Sequence, residues 1–294
     1  MQEEAHAKVN LTLAVLGRRA DGYHVLDSLV AFAGVADRVT LEPGVALSLE
    51  VDGPTAAGAG VIADNLVVKA ALALARRRPG LTLGHFRLTK NLPIAAGIGG
   101  GSSDAAAALR LLAKANSLPL GDSAVLEAAR ETGSDVPVCL EAKTRWMRGA
   151  GESLSAPVDL PAMAAMLVNP RVATPTADVF RALALEPGTV AAYDDTLAAA
   201  ILARRDADPI DLIAEGRNDL EPPSITLRPI IGEALALMEA QPGCRLARMS
   251  GSGATVFGLF DSADAASMAR SAIEAAQPSW WCVDTTLAGS ASMG

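Results

Sequence analysis

Leu92-Pro93-Ile94-Ala95-Ala96-Gly97-Ile98-Gly99-Gly100-Gly101-Ser102-Ser103-Asp104 packs four glycines into one turn ahead of the alanine run 105–108. Glycine allows main-chain amides to crowd an anion and to take positive φ. A helix starting near Ser102 would aim its unpaired amides and positive dipole end at the same point. Upstream, Phe86-Arg87-Leu88-Thr89-Lys90 alternates apolar and polar residues like a strand, and Leu92-Pro93 ends it. Ser102 or Ser103 can cap the helix that follows, with Asp104 in its first turn. A strand, a glycine turn and a helix in this order form a phosphate cradle. A plain tight connection is the bland alternative, and four glycines exceed what it requires.

The loop is not one of the commoner phosphate loops. No Gly-Lys-Ser/Thr closes it, and Gly97-x-Gly99-x-x-Ser102 lacks the third glycine of the dinucleotide fingerprint. Composition narrows the ligand further. The 294 residues are 50% hydrophobic but only 3% aromatic, so alanine, leucine and valine must fill the interior. A net charge of -8 disfavours a nucleic-acid surface, so an anionic ligand must be held by local groups. Cys139, Cys244 and Cys282 are odd in number and widely spaced, as expected of buried, reduced thiols. Met1-Gln-Glu-Glu-Ala-His6 has neither the basic nor the apolar part of a signal peptide, and no apolar run approaches about 18 residues. We therefore expect a cytoplasmic protein with no nucleic-acid or membrane partner, a monomer or a weak homodimer.

Three further segments carry candidate chemistry. Ala7, Val9, Leu11, Leu13 and Val15 alternate with Lys8, Asn10 and Thr12, so Lys8 and Asn10 share a strand face with Cα atoms roughly 6.5 Å apart. The turn signal Asp21-Gly22 then delivers Tyr23 and His24 together, one able to stack on a planar ring and the other to read its edge. Ser134-Asp135-Val136-Pro137 follows a helical stretch ending at Gly133, and Pro137 biases Val136 toward extended backbone ahead of apolar Val138-Cys139-Leu140. This places Asp135 at a corner between helix and strand. Its carboxylate can take a proton from a substrate hydroxyl with Lys8 beside it, or can simply satisfy loop amides. Met249-Ser250-Gly251-Ser252-Gly253 is a second small-residue loop, open to a ligand-binding or a purely structural reading.

Strand-like and helix-like segments interleave, which makes the fold class α+β. We expect strands at residues 7–15, 39–41, 47–51, 86–90 and 164–169, two flanking Gly251, and one at 280–286. Helices are expected at 65–77, 103–114, 123–132, 176–183, 195–203, 229–240 and 262–276. Residues 53–60 read as a mobile loop and 288–294 as a frayed tail. A boundary near 155–161 divides the chain into domains 1–157 and 158–294.

Three segments in one order, Ala7-Lys8-Val9-Asn10-Leu11 with Asp21-Gly22-Tyr23-His24, then Leu92 to Asp104, then Met249 to Gly253, resemble the GHMP small-molecule kinases. The strand and the Asp-Gly-Tyr-His turn resemble the branch whose acceptor is a cytidylate-linked methylerythritol. The resemblance implies a two-domain fold, with a ribosomal-protein-S5-like amino-terminal domain and a ferredoxin-like carboxy-terminal domain. It also implies ATP-dependent phosphorylation of the acceptor's 2-hydroxyl in the non-mevalonate isoprenoid pathway, with Asp135 as base and Lys8 as its support. Pro93, Ile94, Ala95, Ala96, Gly97, Ile98, Gly99, Gly100, Gly101, Ser102 and Ser103 would wrap the ATP phosphates, with Asn65 and Lys90 beside the nucleotide. Tyr23 would stack on cytosine, His24 read its edge and Phe180 close the other face; Asn10 and Thr176 would meet the methylerythritol end, and Gly251, Ser252 and Gly253 would complete the acceptor site. Mg2+ is expected with ATP, with Ser103 or Asp104 as possible ligands. One departure is Glu141-Ala142-Lys143-Thr144, where relatives often carry a glycine pair. Other GHMP kinases, of homoserine or mevalonate type, and a non-catalytic nucleotide- or RNA-binding module are the competing readings.

Overall fold

A computed structural model describes residues 1–58, 61–204 and 206–289; residues 59–60 of the expected loop and 290–294 of the expected tail lie outside the described residues. The chain runs β1 (Gln2–Asn10), β2 (Ala14–Arg18), β3 (His24–Pro43), β4 (Ser48–Asp52), α1 (Leu66–Arg77), β5 (Gly84–Thr89), α2 (Gly100–Ala115), α3 (Ser123–Thr132) and α4 (Val136–Cys139). It continues through β6 (Arg145–Gly149), β7 (Ser153–Leu154), β8 (Met163–Asn169), α5 (Thr176–Ala182), β9 (Thr189–Val190), α6 (Thr196–Ala203), α7 (Pro209–Ala214) and α8 (Glu221–Leu227). It closes with α9 (Ile230–Glu239), β10 (Cys244–Met249), β11 (Val256–Phe260), α10 (Ala263–Ala276) and β12 (Trp281–Leu287).

Two compact units interleave along the sequence, a different division from a single cut between 157 and 158. The first comprises Met1–Lys8, Val35–Ile94 and Gly99–Ala142, and the second Val9–Gly34, Ala95–Ile98 and Lys143–Gly294. In the first, β5 pairs antiparallel with residues 38–43 of β3 and parallel with β4, the β4-α1-β5 segment forming a crossover. Helices α1, α2 and α3 pack together, and α2 is buried on all sides from Ser103 to Ala113, its many alanines allowing close helix approach. Asn65 caps α1, its side chain accepting from Val67 N at 2.9 Å. In the second unit, β10, β11, β8 and β12 form an antiparallel sheet in that order. With α9 and α10 packed on it, the sheet is a ferredoxin-like split βαβ arrangement, as expected.

Several local readings change. The strand expected at 7–15 stops at Asn10 and resumes at Ala14, because Ser28 Oγ donates to Thr12 O at 2.6 Å and Thr12 Oγ1 accepts from Leu29 N at 3.1 Å, replacing ladder bonds with hydroxyl bonds. β3 is 20 residues long where only 39–41 was expected. Its central run is buried on both faces, so it shows no alternation to read. Val136–Cys139 is a short helix rather than the start of a strand, since Pro137 falls in its first turn, where a missing N–H costs nothing. Ala142 takes φ 49°, the left-handed turn conformation that a glycine would adopt at this departure from the family pattern. Of the three cysteines only Cys139 is buried; Cys244 and Cys282 are half-buried, and all three are free thiols.

α2 begins at Gly100, earlier than the expected serine cap. Gly99 is its N-cap at φ 62° and, having no side chain, makes no side-chain cap bond to the first amides of the helix. Beneath this start lies a buried triad. Lys90 Nζ is bonded to Asp37 and, at 2.7 Å, to Asp104 Oδ2, while Asp37 Oδ1 accepts the amides of Asn91 at 2.5 Å and Leu92 at 2.8 Å. The ammonium thereby ties the chain entering the glycine turn to the helix leaving it. One cation faces two carboxylates, and Asp104 Oδ1 has no hydrogen-bond partner among the described residues. Burial above all, with Asp37 adding to it, pushes Asp104 up to about 7 despite the pull of Lys90.

A carboxyl whose folded-state pKa is raised binds its proton more tightly folded than unfolded, so its ionisation costs stability as pH rises toward the raised value. Asp104→Asn mimics the protonated form. In chemical denaturation the variant should gain on the unsubstituted protein by about 1 kcal/mol or more between pH 5 and pH 8. A stability difference that is flat with pH would contradict the assignment.

Candidate active site

Lys8 lies near the end of β1, with its side chain only 4% exposed, and its Nζ stands 2.8 Å from Asp135 Oδ2. The Asp135 carboxylate remains 27% exposed, so the pair has a dry side and an open one. Gly99 passes directly over the lysine: a Cβ there would come within 3.1 Å of Lys8 Cβ and 3.3 Å of its Cε. Only glycine combines that approach with φ 62°. Three sequence candidates therefore meet in the first unit: the ammonium, the carboxylate and the turn that opens α2. The arrangement can place an anion against helix amides and a fixed positive charge, with a carboxylate alongside to receive a proton.

Other residues of the loop do different work. Ser103 is buried; its Oγ donates to His6 O at 2.6 Å and lies 3.3 Å from Cys139 Sγ. Ile94 is exposed and Ala95 takes φ 50°. In the second unit, Ala96 O accepts from Thr255 N at 3.1 Å, and Gly97 O accepts from Ser250 Oγ at 2.9 Å. Gly97, at φ 75°, lies so close to the Ser250 carbonyl that a Cβ would collide with it. Lys90, expected beside ATP, has its ammonium committed to Asp37 and Asp104 under the helix start, so its side chain holds the scaffold. Asn65 uses its side-chain oxygen as the cap of α1.

The acceptor candidates gather in the second unit. Asn10 N donates to Ser250 Oγ at 3.1 Å, and Asn10 Nδ2 to Ser28 Oγ at 2.7 Å. Gly251 packs against Gly97 O and Asn10 Oδ1. The Thr176 and Ser252 hydroxyls are 2.8 Å apart, and Ser224 Oγ donates to Ser252 O at 3.0 Å. Gly253, at φ 83°, packs against the Met249 side chain. The ring stacked on Phe180 is His24, with centroids 4.5 Å apart, whereas Tyr23 is 63% exposed at the turn. His24 reaches Phe180 because it opens β3, while Tyr23 stays in the turn, its N bonded to Asp21. Burial, and secondarily Arg18, holds the His24 imidazole below its usual range, leaving it neutral near pH 7 with one donor and one acceptor nitrogen.

Sequence reasoning missed two residues that support the second unit's loop and its neighbours. Asn218 Nδ2 holds the second glycine loop by the carbonyls of Met249 at 2.7 Å and Gly251 at 2.9 Å. The Arg248 guanidinium, buried and with its pKa lowered by that burial, donates to Leu11 O at 2.8 Å and Gly216 O at 2.6 Å. An arginine in the apolar strand leading into a glycine loop was the available signal.

For Mg2+, no group of three or more His, Cys, Asp or Glu side chains gathers among the described residues. A nucleotide-borne Mg2+ needs only one or two protein donors, the rest being phosphate and water oxygens. Asp135, whose side chain is partly exposed, and Ser103, whose hydroxyl hydrogen is already given to His6 O, fit that lesser demand.

Two family models match the chain: the GHMP kinases N terminal domain at residues 65–143 and the GHMP kinases C terminal domain at residues 197–278, together more than half of it. A protein of Methylobacterium radiotolerans named 4-diphosphocytidyl-2-C-methyl-D-erythritol kinase is 57% identical over 98% of this chain and 99% of its own. A crystal structure of 4-(cytidine 5'-diphospho)-2C-methyl-D-erythritol kinase superposes with TM-score 0.76 at 35% identity, covering 98% of this chain and 100% of the other. A homoserine kinase from Cytophaga hutchinsonii shares the fold, with TM-score 0.69 at 19% identity over 98% of this chain and 94% of its own. The chain belongs to the GHMP kinase family.

Proposed function

We propose that the chain transfers the γ-phosphoryl group of ATP to the 2-hydroxyl of 4-diphosphocytidyl-2-C-methylerythritol, giving the 2-phosphate and ADP in the non-mevalonate route to isoprenoid precursors. The observation that carries the reading is the Lys8–Asp135 pair at 2.8 Å beneath the Gly99 turn. The acceptor oxygen attacks the γ-phosphorus, the bond to the β-phosphate oxygen breaks, and the hydroxyl proton passes to Asp135. Lys8 orients that carboxylate and stabilises charge developing on the phosphoryl oxygens. The amides of Gly100, Gly101 and Ser102, the first of α2, bind the phosphate chain. Mg2+ entering with ATP would be held by phosphate oxygens with Asp135 or Ser103 as the protein donor, and would neutralise charge on the leaving group.

Acceptor identity rests on the second unit and on the names of the close relatives. A neutral imidazole on an aromatic ring, with an exposed tyrosine next in sequence, suits a flat base with a mixed donor–acceptor edge such as cytosine. Asn10, Thr176 and Ser252 offer the hydroxyl- and amide-bearing surface that a polyol needs. Kinases of homoserine or mevalonate have acceptors without a base, and nothing in such acceptors would use the His24–Phe180 stack.

Asp135→Asn should lower kcat by about a thousandfold in a coupled ADP-release assay while ATP binding stays near that of the unsubstituted protein. Turnover retained at a tenth or more of normal would remove Asp135 from the role. Phe180→Ala should raise KM for the CDP-alcohol about tenfold or more and leave KM for ATP unmoved; an unchanged acceptor KM, or faster turnover of homoserine or mevalonate, would redirect the assignment within the family.

A further inference from the structure

Arg110 sits on α2 seven residues beyond Ser103, hence on the same face of the helix, and is 7% exposed. Its guanidinium reaches two other elements of the first unit. On β1, Nε donates to Glu3 Oε2 at 2.9 Å and Nη2 to Glu4 O at 2.7 Å; at the end of α4, Nη1 donates to Cys139 O at 2.9 Å and Leu140 O at 3.4 Å. Ser103 repeats the pattern one end along, bonding His6 O of β1 and touching Cys139 Sγ of α4.

β1 carries Lys8, and α4 has Asp135 as its N-cap. A helix of four residues cannot hold its own direction, because its terminal carbonyls outnumber its internal bonds. Whatever grips those carbonyls aims Asp135. The planar guanidinium, with donors in a fixed fork, sets the spacing of both grips at once, which a lysine's single rotatable ammonium cannot.

We propose that Arg110 is a positioning residue for phosphoryl transfer, pinning β1 and α4 to one face of α2 so that Lys8 and Asp135 stay in register. The inference rests on the reading of Asp135 as proton acceptor. Its test is a double-mutant cycle: Arg110→Met and Arg110→Lys, each alone and with Asp135→Asn, assayed with ATP and the CDP-alcohol at folded fractions measured by near-ultraviolet circular dichroism. Arg110→Met should lower kcat about 10- to 100-fold with KM for ATP within about twofold, and Arg110→Lys should recover part of the loss. In the Asp135→Asn background the same substitutions should cost less than about twofold, since the group being aimed is already gone.

Full kcat in folded Arg110→Met, or an undiminished loss in the Asp135→Asn background, would overturn the proposal; the second result would mark Arg110 as general scaffold. Should Arg110→Met fail to fold, the Arg110→Lys cycle decides by the same criterion. Absence of turnover by the unsubstituted protein would instead overturn the functional reading, and this inference with it.

Discussion

A buried lysine ammonium against a half-open carboxylate, 2.8 Å apart, is the constraint on which the first unit is organised. Removing a charge from water is costly unless a partner and further hydrogen bonds compensate, so each partner must be delivered by an element held firmly in place. β1 delivers Lys8 from an almost fully buried strand end. α4 delivers Asp135 from a helix too short to stand alone, gripped through its carbonyls by Arg110. α2 supplies both the grip and, in its first turn, the amides proposed to bind phosphate. One helix therefore joins the proposed anion-binding end to the proposed proton acceptor.

The same economy appears under the glycine turn. The Lys90 ammonium, shared between Asp37 and Asp104, holds the chain on both flanks of the turn beneath a helix start whose N-cap is a glycine. A cap at Gly99 would occupy the first amides of the helix, which are the ones a phosphate needs. Stiffening the loop from below leaves those amides to the ligand. The imbalance of two carboxylates on one ammonium is the cost, visible in the raised Asp104 and its unpartnered oxygen.

Much of this was legible in the residues, for physical reasons that differ by element. Amphipathic helices such as Leu66–Arg77 and Ser123–Thr132, each with an Asn or Asp cap, show their period and their start in the chain itself. Lys8 and Asn10 share a strand face because period two is a local property. The 20-residue β3 was hidden because burial on both faces erases alternation. The short helix at Val136 was hidden because a proline that disfavours helix in the residue before it is tolerated in a first turn. Arg110, Asp37 and Asn218 bond partners 29 to 107 residues away, mostly main-chain carbonyls and amides, which carry no sequence signature. The His24–Phe180 stack is a tertiary contact that the turn signal Asp21-Gly22 could not specify.

Phosphoryl transfer over the Lys8–Asp135 pair is tested most directly by a crystal structure with ADP, aluminium fluoride as the phosphoryl mimic and the CDP-alcohol. The fluoride group is expected within hydrogen-bond reach, about 3 Å, of Lys8 Nζ and of an amide at Gly100 to Ser102, with the acceptor hydroxyl donating to Asp135. A fluoride group bound elsewhere, or an acceptor hydroxyl facing away from Asp135, would contradict it.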